Sequence, residues 1–438
     1  MLNKAVCVAL SLALPTALLA ACSHAKDTTN KNKEEKQQPV TLKFYTGDKD
    51  YETRFKNEIA DKVKQKYPYI SFEFQGADKG KEIQDLVVAG DSPDIYYQGL
   101  SALDNNLVKF NLQYDLSDLI KKNNFELSRI DPAYLEIIKS ASATYGGSYY
   151  GLPVTGYTPV LFYNKDIFDK FGVPYPKDGM TWDDAYAIAQ KLTRVEDGVQ
   201  YRGMTMNFTY LLDNNQLAAP YFLQKEDRAA IQTDAWKSIF TTLSKFYRLP
   251  LDKPLDDRSR VKEVSAFTKE RTSAMHADVT AAIESFPDDF MHWDMVSLPT
   301  MKEAPGTNAM VNPRFYYIMS SSKNKEAAFK VIDFVLSDEM QMAASKTGKA
   351  TVLSKPDIQK AYSQDFAAMK GKNTGGALYV NKSAKPAPPR DPKLTTVSTA
   401  APLNKEFNNV IKGIKDVNTA LRDFEDSVNK LITAEKSK

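Results

Sequence analysis

Two hydrophobic periods alternate between Val40 and Tyr97, and no other feature restricts the fold of this chain as strongly. Val40 to Tyr45 (VTLKFY) repeats every second residue, as a strand does, and Gly47-Asp48 breaks the pattern. Tyr51, Phe55, Ile59, Val63 and Tyr67 then follow at helical spacing. Ile70, Phe72 and Phe74 return to period two. A short helix containing Ile83, Leu86 and Val87 comes next, then a turn at Gly90 to Pro93 and a third strand from Asp94 to Tyr97. Strand, helix, strand, helix, strand at these intervals predicts a mostly parallel sheet with helices on its faces.

Further along, Tyr145 to Pro176 packs turns and strands together, and Val160 to Tyr163 reads as a strand entering a new unit. Thr181 and Asp184 form a T-x-x-D capping box, and the helix they start has its apolar stripe on Trp182, Ala185, Ile188, Ala189 and Leu192. More helices are expected over Asp234 to Phe246, Val261 to Phe267 and Lys325 to Leu336. Ser383 to Lys393 is a proline-rich, extended connector. One long amphipathic helix is expected to close the chain and pack on its own domain, with Phe407, Val410, Ile411, Ile414, Val417, Leu421, Phe424, Val428 and Leu431 on its stripe. The 400 residues from Pro39 to Lys438 exceed what one core usually supports, so two domains are expected.

The N-terminus has a different logic. Lys4 precedes an uncharged, mostly apolar run from Ala5 to Leu19 that ends in small residues, the layout of a secretory signal peptide over residues 1–21. As a helix that run would reach about 22 Å, short of the roughly 30 Å hydrocarbon core, so it is not read as a membrane span. Leu19-Ala20-Ala21-Cys22 resembles the lipobox of bacterial lipoproteins, in which the cysteine is lipidated and becomes the new N-terminus. The chain holds 2 cysteines, Cys7 and Cys22. With Cys7 removed and Cys22 acylated, the mature chain has no thiol left for a disulfide. Residues 22–38 are polar and charged, a tether with a root-mean-square reach of roughly 20 to 25 Å. The implied location is the outer face of the cell membrane, held by lipid on Cys22.

Charge and motif content exclude several functions. The chain has 58 Lys+Arg against 55 Asp+Glu, a balance that gives no field for nucleic acid and no polybasic patch for lipid. Of the 3 histidines, His24 falls in the tether, which leaves His276 and His292 and no zinc-binding cluster. No G-x-S-x-G elbow and no G-x-G-x-x-G loop occurs. Gly76 to Lys81 has one residue too few for a phosphate loop, and Glu82 follows it. The adjacent pairs Asp183-Asp184, Asp256-Asp257 and Asp288-Asp289 read as turns or caps. With no nucleophile, base and orienter together, catalysis and cofactors are not expected. Aromatic content, 23 Tyr, 22 Phe and 3 Trp, supplies a core and also suits a binding surface.

Five segments in order resemble the family 1 extracellular solute-binding proteins, the lipoprotein receptors of ABC importers. They are GDSPDIYYQ (Gly90 to Gln98), YYGLP with YNKDIFDKFGV (Tyr149 to Val173), TWDDAYAIAQKL (Thr181 to Leu192), FTKERTSAMH (Phe267 to His276), and VSLPT followed by IMSSSKNKEAAFKVIDFVLSDEMQ, ending at Gln341. The resemblance implies an α/β fold of the periplasmic-binding-protein type II kind, two α/β lobes with a hinged cleft that holds the solute. By that likeness the first lobe takes 39–154 and 300–345 and the second takes 155–299 and 346–438. Hinges would lie near Val154 to Thr158, Val296 to Pro299 and Lys346 to Ala350, and ligand-driven closure would signal occupancy to the transporter.

A sugar site needs aromatic plates and side chains that donate and accept in pairs, and in an open parallel sheet it sits beyond the carboxyl ends of strands. Gly47-Asp48-Lys49 follows the first strand and resembles the sugar-holding loop of the family's maltose-binding member, which carries Asp48 and Lys49 over as ligands; the alternative is a helix cap. Gln98 is placed just beyond the third strand. Thr155 and Tyr157 stand at the first hinge, although that relative has a carboxylate at the position of Tyr157. Asn207 and Phe208 make an amide and aromatic pair, with turn chemistry as the competing explanation. His276 and Asp278 follow the family's Ala-Met, and a packed histidine is the competing reading. Trp293 either plates the cleft or is buried beside the hinge. Arg314 would suit hydroxyls or a carboxylate, in which case an acidic sugar becomes possible.

The expectation is a monomeric receptor tethered to a single-membrane, Gram-positive cell by a palmitate-type lipid. It would deliver a carbohydrate, an oligosaccharide, to the permease subunits of an ABC importer. A sensor or adhesion lipoprotein of the same fold, or a receptor for a non-sugar solute, are the alternatives.

Overall fold

The computed structural model describes residues 38–76, 82–223, 226–250, 259–388, 391–394 and 397–437. The signal peptide, Cys22 and the tether through Gln37, His24 included, lie outside the described residues, as do Ala77 to Lys81.

The alternation near the start builds as expected. β1 (Val40–Thr46) pairs in parallel with both β2 (Ile70–Gly76) and β3 (Ile95–Gly99). Between β1 and β2 run Lys49–Arg54, a π-helical turn Phe55–Ala60, and Asp61–Lys66. The π turn has a reason in the sequence. Apolar residues spaced strictly by four over-rotate by about 40° per step on an α-helix of 3.6 residues per turn. A turn whose bonds reach one residue further corrects that drift. Tyr51, Phe55, Ile59 and Val63 are accordingly all buried. β3 begins at Ile95 and runs to Gly99, so Gln98 lies inside the strand and not beyond it.

The other side of this sheet was not visible locally. β4 (Leu152–Tyr157) does not pair with β3. From far along the chain, β9 (Asn312–Ile318) inserts between them, antiparallel to both, to give the order β2-β1-β3-β9-β4. One core underlies this sheet, with Phe44, Phe55, Tyr51, Tyr97 and Tyr316 in mutual ring contact and the helix Lys325–Val335 packed against it.

A single residue, Thr158, separates β4 from β5 (Pro159–Asn164), the centre of a second sheet. There β8 (Trp293–Ser297) and β7 (Met275–Val279) flank β5 antiparallel, and β6 (Thr205–Met206) adds in parallel to β7. Thr181 caps Trp182–Leu192 through both bonds of the predicted box. That helix packs in a second core with Asp234–Ser244 and the C-terminal segment, where Phe407 meets Phe208 and Phe240.

The C-terminal segment corrects the expectation of one long helix. It is two, Ala400–Ile411 and Val417–Lys436, broken where Gly413 takes φ 70°, a left-handed conformation that favours glycine. Ile414 sits in the break and is 66% exposed, off the stripe to which periodicity assigned it. In the proline-rich connector, Ala384 to Pro388 have no regular secondary structure and Pro392–Leu394 form a 3₁₀ turn.

The chain changes cores more than once. Val154 packs in the first core and Leu161 in the second; Ala309 belongs to the second and Val311 to the first; Val352, Leu353 and Ile358 remain with the first, and Leu394 onward with the second. A third cluster, around Phe162, Phe267 and Trp293, includes Ala350 and Tyr362.

Candidate functional site

A cavity of about 220 Å³ opens where the carboxyl end of β1 approaches the β4–β5 junction, lined by Asp48, Asp50, Tyr51, Arg54, Tyr157, Glu284 and Lys349. Asp48 follows β1, and its Oδ1 accepts from the Tyr51 amide at 2.9 Å, so the capping role holds. Capping leaves Oδ2 available at the cavity edge. Tyr51 stacks on Tyr97 with ring centres 3.4 Å apart and hydrogen-bonds through its hydroxyl to that of Tyr316. One helical turn on, the Arg54 guanidinium lies 4.7 Å from the Tyr51 ring centre.

Tyr157 ends β4 at the junction. Arg314 of β9 extends over its ring at 5.5 Å. In the strand register Arg314 faces Thr155 on one side and Gly99 on the other. A Cβ at residue 99 would come within 2.9 Å of Arg314 Nη1, so Gly99 makes room for the guanidinium. From beyond β7, beside the third cluster, comes Glu284, in the 3₁₀ turn Thr280–Ser285, which pairs with Lys349. Burial pushes the Tyr51 and Tyr157 phenols up to about 12, so both stay neutral and can donate as well as accept at ordinary pH.

A second group of predicted residues converges elsewhere, at the ends of β6 and β7. Asn207 caps the helix Phe208–Asp213, and its Nδ2 donates to Asp278 Oδ1 at 2.8 Å. Arg260 Nε donates to Asp278 Oδ2 at 2.8 Å, and the Val279 amide adds a third bond. His276 is fully buried, with Nδ1 2.9 Å from Thr205 Oγ1 and its ring stacked on Phe267. Burial alone would raise the Asp278 carboxyl; His276, Arg260 and Asn207 outweigh it and hold the group below its ordinary range. Asp278 is fully buried and every bond it makes is internal, while His276 Nε2 lies 3.5 Å from Asp278 Oδ2 without a hydrogen bond of its own.

The remaining candidates scatter. Thr155 is buried, its hydroxyl bonded to the Ala350 carbonyl at 3.2 Å, on the wall of a separate cavity of about 500 Å³ between Arg54 to Gln65 and Met340 to Lys349. Lys49 is exposed at the start of its helix. Gln98 accepts from the Gly99 amide at 2.9 Å. Phe208 is buried against Phe407, a core contact and not a plate for a ligand. Trp293 is 1% exposed, between Phe162 and Phe286, with Lys372 over its ring, so the burial alternative holds. Sequence reasoning missed Tyr51, Arg54, Glu284 and Lys349. Tyr51 stood on a helical stripe and Lys349 inside the expected hinge Lys346 to Ala350, without either being named as a ligand, and Arg54 left a trace as a cation three residues after a buried tyrosine on one helix face.

Around the smaller cavity stand rings, guanidinium groups and carboxylates, a set suited to holding a polar molecule by its faces and edges. Among the described residues no cluster of three or more His, Cys, Asp or Glu could hold a metal ion. Among them also, no helix is long and apolar enough to cross a membrane.

The family model for bacterial extracellular solute-binding proteins matches residues 49–342, more than half of the chain. The chain belongs to that family. As an extracellular solute-binding protein it is a receptor and not an enzyme. It is similar to an uncharacterised ABC transporter extracellular-binding protein of Pyrococcus horikoshii, 28% identical over 155 residues, which span 32% of this chain and only 31% of that relative. It is also similar to the galactooligosaccharide-binding protein of Bacillus subtilis, 22% identical across 99% of this chain and 97% of the relative. Among solved structures, the ABC substrate-binding protein of Listeria monocytogenes in complex with cycloalternan superposes with a TM-score of 0.69 at 21% identity, covering 90% of this chain and 99% of that one. This solute-binding protein therefore has the two-sheet α/β architecture of its class.

Proposed function

We propose that this receptor catches an oligosaccharide in the cavity between its two sheets and delivers it to the permease subunits of an ABC importer. The observation that carries this reading is the cavity's position. It gathers Asp48, Tyr51 and Arg54 from beside β1, Tyr157 from the β4–β5 junction, Glu284 from beyond β7 and Lys349 from the segment just before Ala350. A ligand touching all of them would tie both sheets together, which is what hinge closure requires. Two α/β lobes follow from the same reading, with crossings at Tyr157 to Pro159, between Ala309 and Val311, and after Ile358. The end-to-end likeness to a galactooligosaccharide-binding protein supports a sugar over a peptide or a metal complex. Asp48, Lys49, Tyr157 and Arg314 are assigned to the ligand. Gln98 is assigned to the support of Gly99, and Asn207, His276 and Asp278 to the support of the second lobe.

The same reading includes the anchor. A lipid on Cys22 would confine the receptor within a few nanometres of its transporter and raise its local concentration there. Calorimetric titration against neutral and acidic oligosaccharides tests the receptor half: saturable binding with micromolar affinity is expected, and binding of peptides or polyamines alone would refute the carbohydrate assignment. Mass spectrometry of the mature N-terminus tests the anchor, with a diacylglyceryl adduct on Cys22 expected and an unmodified or uncleaved terminus contradicting it.

A further inference from the structure

Arg54, which lines the cavity, and Tyr97, stacked behind the lining Tyr51, carry donors that the protein does not satisfy. Arg54 Nη1 and the Tyr97 hydroxyl are both buried without a hydrogen-bond partner, and Tyr97 is 1% exposed. They flank the same ring, since Tyr51 stacks on Tyr97 and also lies against the Arg54 guanidinium. Arg314 stands over Tyr157 and makes one long bond, Nη1 to Asn312 Oδ1 at 3.3 Å, although a guanidinium has five N–H groups to place. Both arginines act on the same two phenols: burial raises Tyr97 and Tyr157, and the charges of Arg54 and Arg314 oppose it in each case. Among the described residues, neither guanidinium has a carboxylate at ion-pair distance.

The acids nearby do not supply the missing anion. Asp48 caps the Tyr51 amide through Oδ1 and makes no ion pair with either arginine, Glu284 is engaged by Lys349, and Asp50 is exposed on the first helical turn. A half-buried cation without a counter-charge costs stability that a bound anion restores. Neutral hydroxyls ask for acceptors as well as donors, whereas surplus donors on planar guanidinium groups fit the two oxygens of a carboxylate.

We propose that the solute carries a carboxylate, as an acidic oligosaccharide with a uronate unit seated between Arg54 and Arg314 against Tyr157. This rests on the receptor reading given above. The test is a binding panel on the full mature protein: oligogalacturonate, alginate and hyaluronan fragments of two to six units, each beside its methyl-esterified counterpart, with neutral galactooligosaccharides included. One acid is expected to bind at least tenfold tighter than its ester and to weaken as salt rises. Arg314→Gln and, separately, Arg54→Gln should each bring that ratio close to one. A neutral sugar or an ester that binds as tightly as every acid overturns the carboxylate and leaves the receptor reading standing. If no sugar of either kind binds, both fall.

Discussion

The cavity group and the Asp278 group draw on similar residues, arginine, aspartate and aromatic rings, and the two differ in whether the arginine has a carboxylate to pair with. Around Asp278 the carboxylate receives Asn207, Arg260 and a backbone amide and is sealed from water. At the cavity, Arg54 lies against Tyr51 with Nη1 buried and unpartnered, and beside it Arg314 lies over the Tyr157 ring; among the described residues neither is paired with a carboxylate. An arginine paired with a buried carboxylate stabilises its own fold, because its charge is already matched inside the protein. An arginine without a counter-charge is poised for a partner from outside. Composition did not separate the two cases; the pairing of the charges does.

The sharpest way to break this contrast is to remove a member of each group and compare stability. Asp278→Ala should lower the free energy of unfolding by about 3 kcal/mol, read from urea denaturation, because it strands buried donors and half of an ion pair. Arg314→Ala should leave unfolding within about 1 kcal/mol of the parent. Equal losses would erase the distinction. Acid titration sharpens it further. The Asp278 carboxyl is held below its ordinary value, so its contribution is present above the unfolded pKa, near 4, and is lost as pH falls through the lower folded value. Asp278→Asn should flatten that acid limb.

Binding should show the reverse order. Arg314→Ala is expected to weaken solute affinity by about 2 kcal/mol in calorimetric titration, the scale of a hydrogen bond to a charged group, with the melting temperature of the empty protein unmoved. Tyr157→Phe removes one neutral hydroxyl and should cost about 1 kcal/mol of affinity. The smallest effect tests the architecture alone. Thr181→Ala removes the cap of Trp182–Leu192 and should cost about 1 kcal/mol of stability without changing affinity.

What was legible in the sequence was local. β1 to β3, the Thr181 capping box and the helices near Asp234, Val261 and Lys325 all follow from periods and caps within about twenty residues. The insertion of β9 beside β3 was hidden, because pairing between Arg314 and Gly99 joins residues more than two hundred positions apart and leaves no local pattern. The C-terminal break was hidden because the apolar spacing continues through Gly413, where a backbone angle ends the helix. For the candidate site, Asp48 was singled out after a strand, Tyr157 at a hinge and Arg314 for its forked donors, and the fold brings Asp48 and Tyr157 to one cavity with Arg314 over Tyr157. Asn207, His276 and Asp278 were chosen on the same grounds, yet Asn207 bonds to Asp278 and His276 to Thr205, and that depends on separate segments meeting in space. Glu284 and Lys349 belong to no motif, and only the junction brings them together.

The most direct test of the central claim is a crystal structure of the mature protein with the tightest sugar from the binding panel. The account predicts the ligand within hydrogen-bond distance of both Arg314 and Tyr157, with the Asp278 network unchanged. A sugar bound against Asn207 and Asp278, with Arg314 untouched, would contradict it.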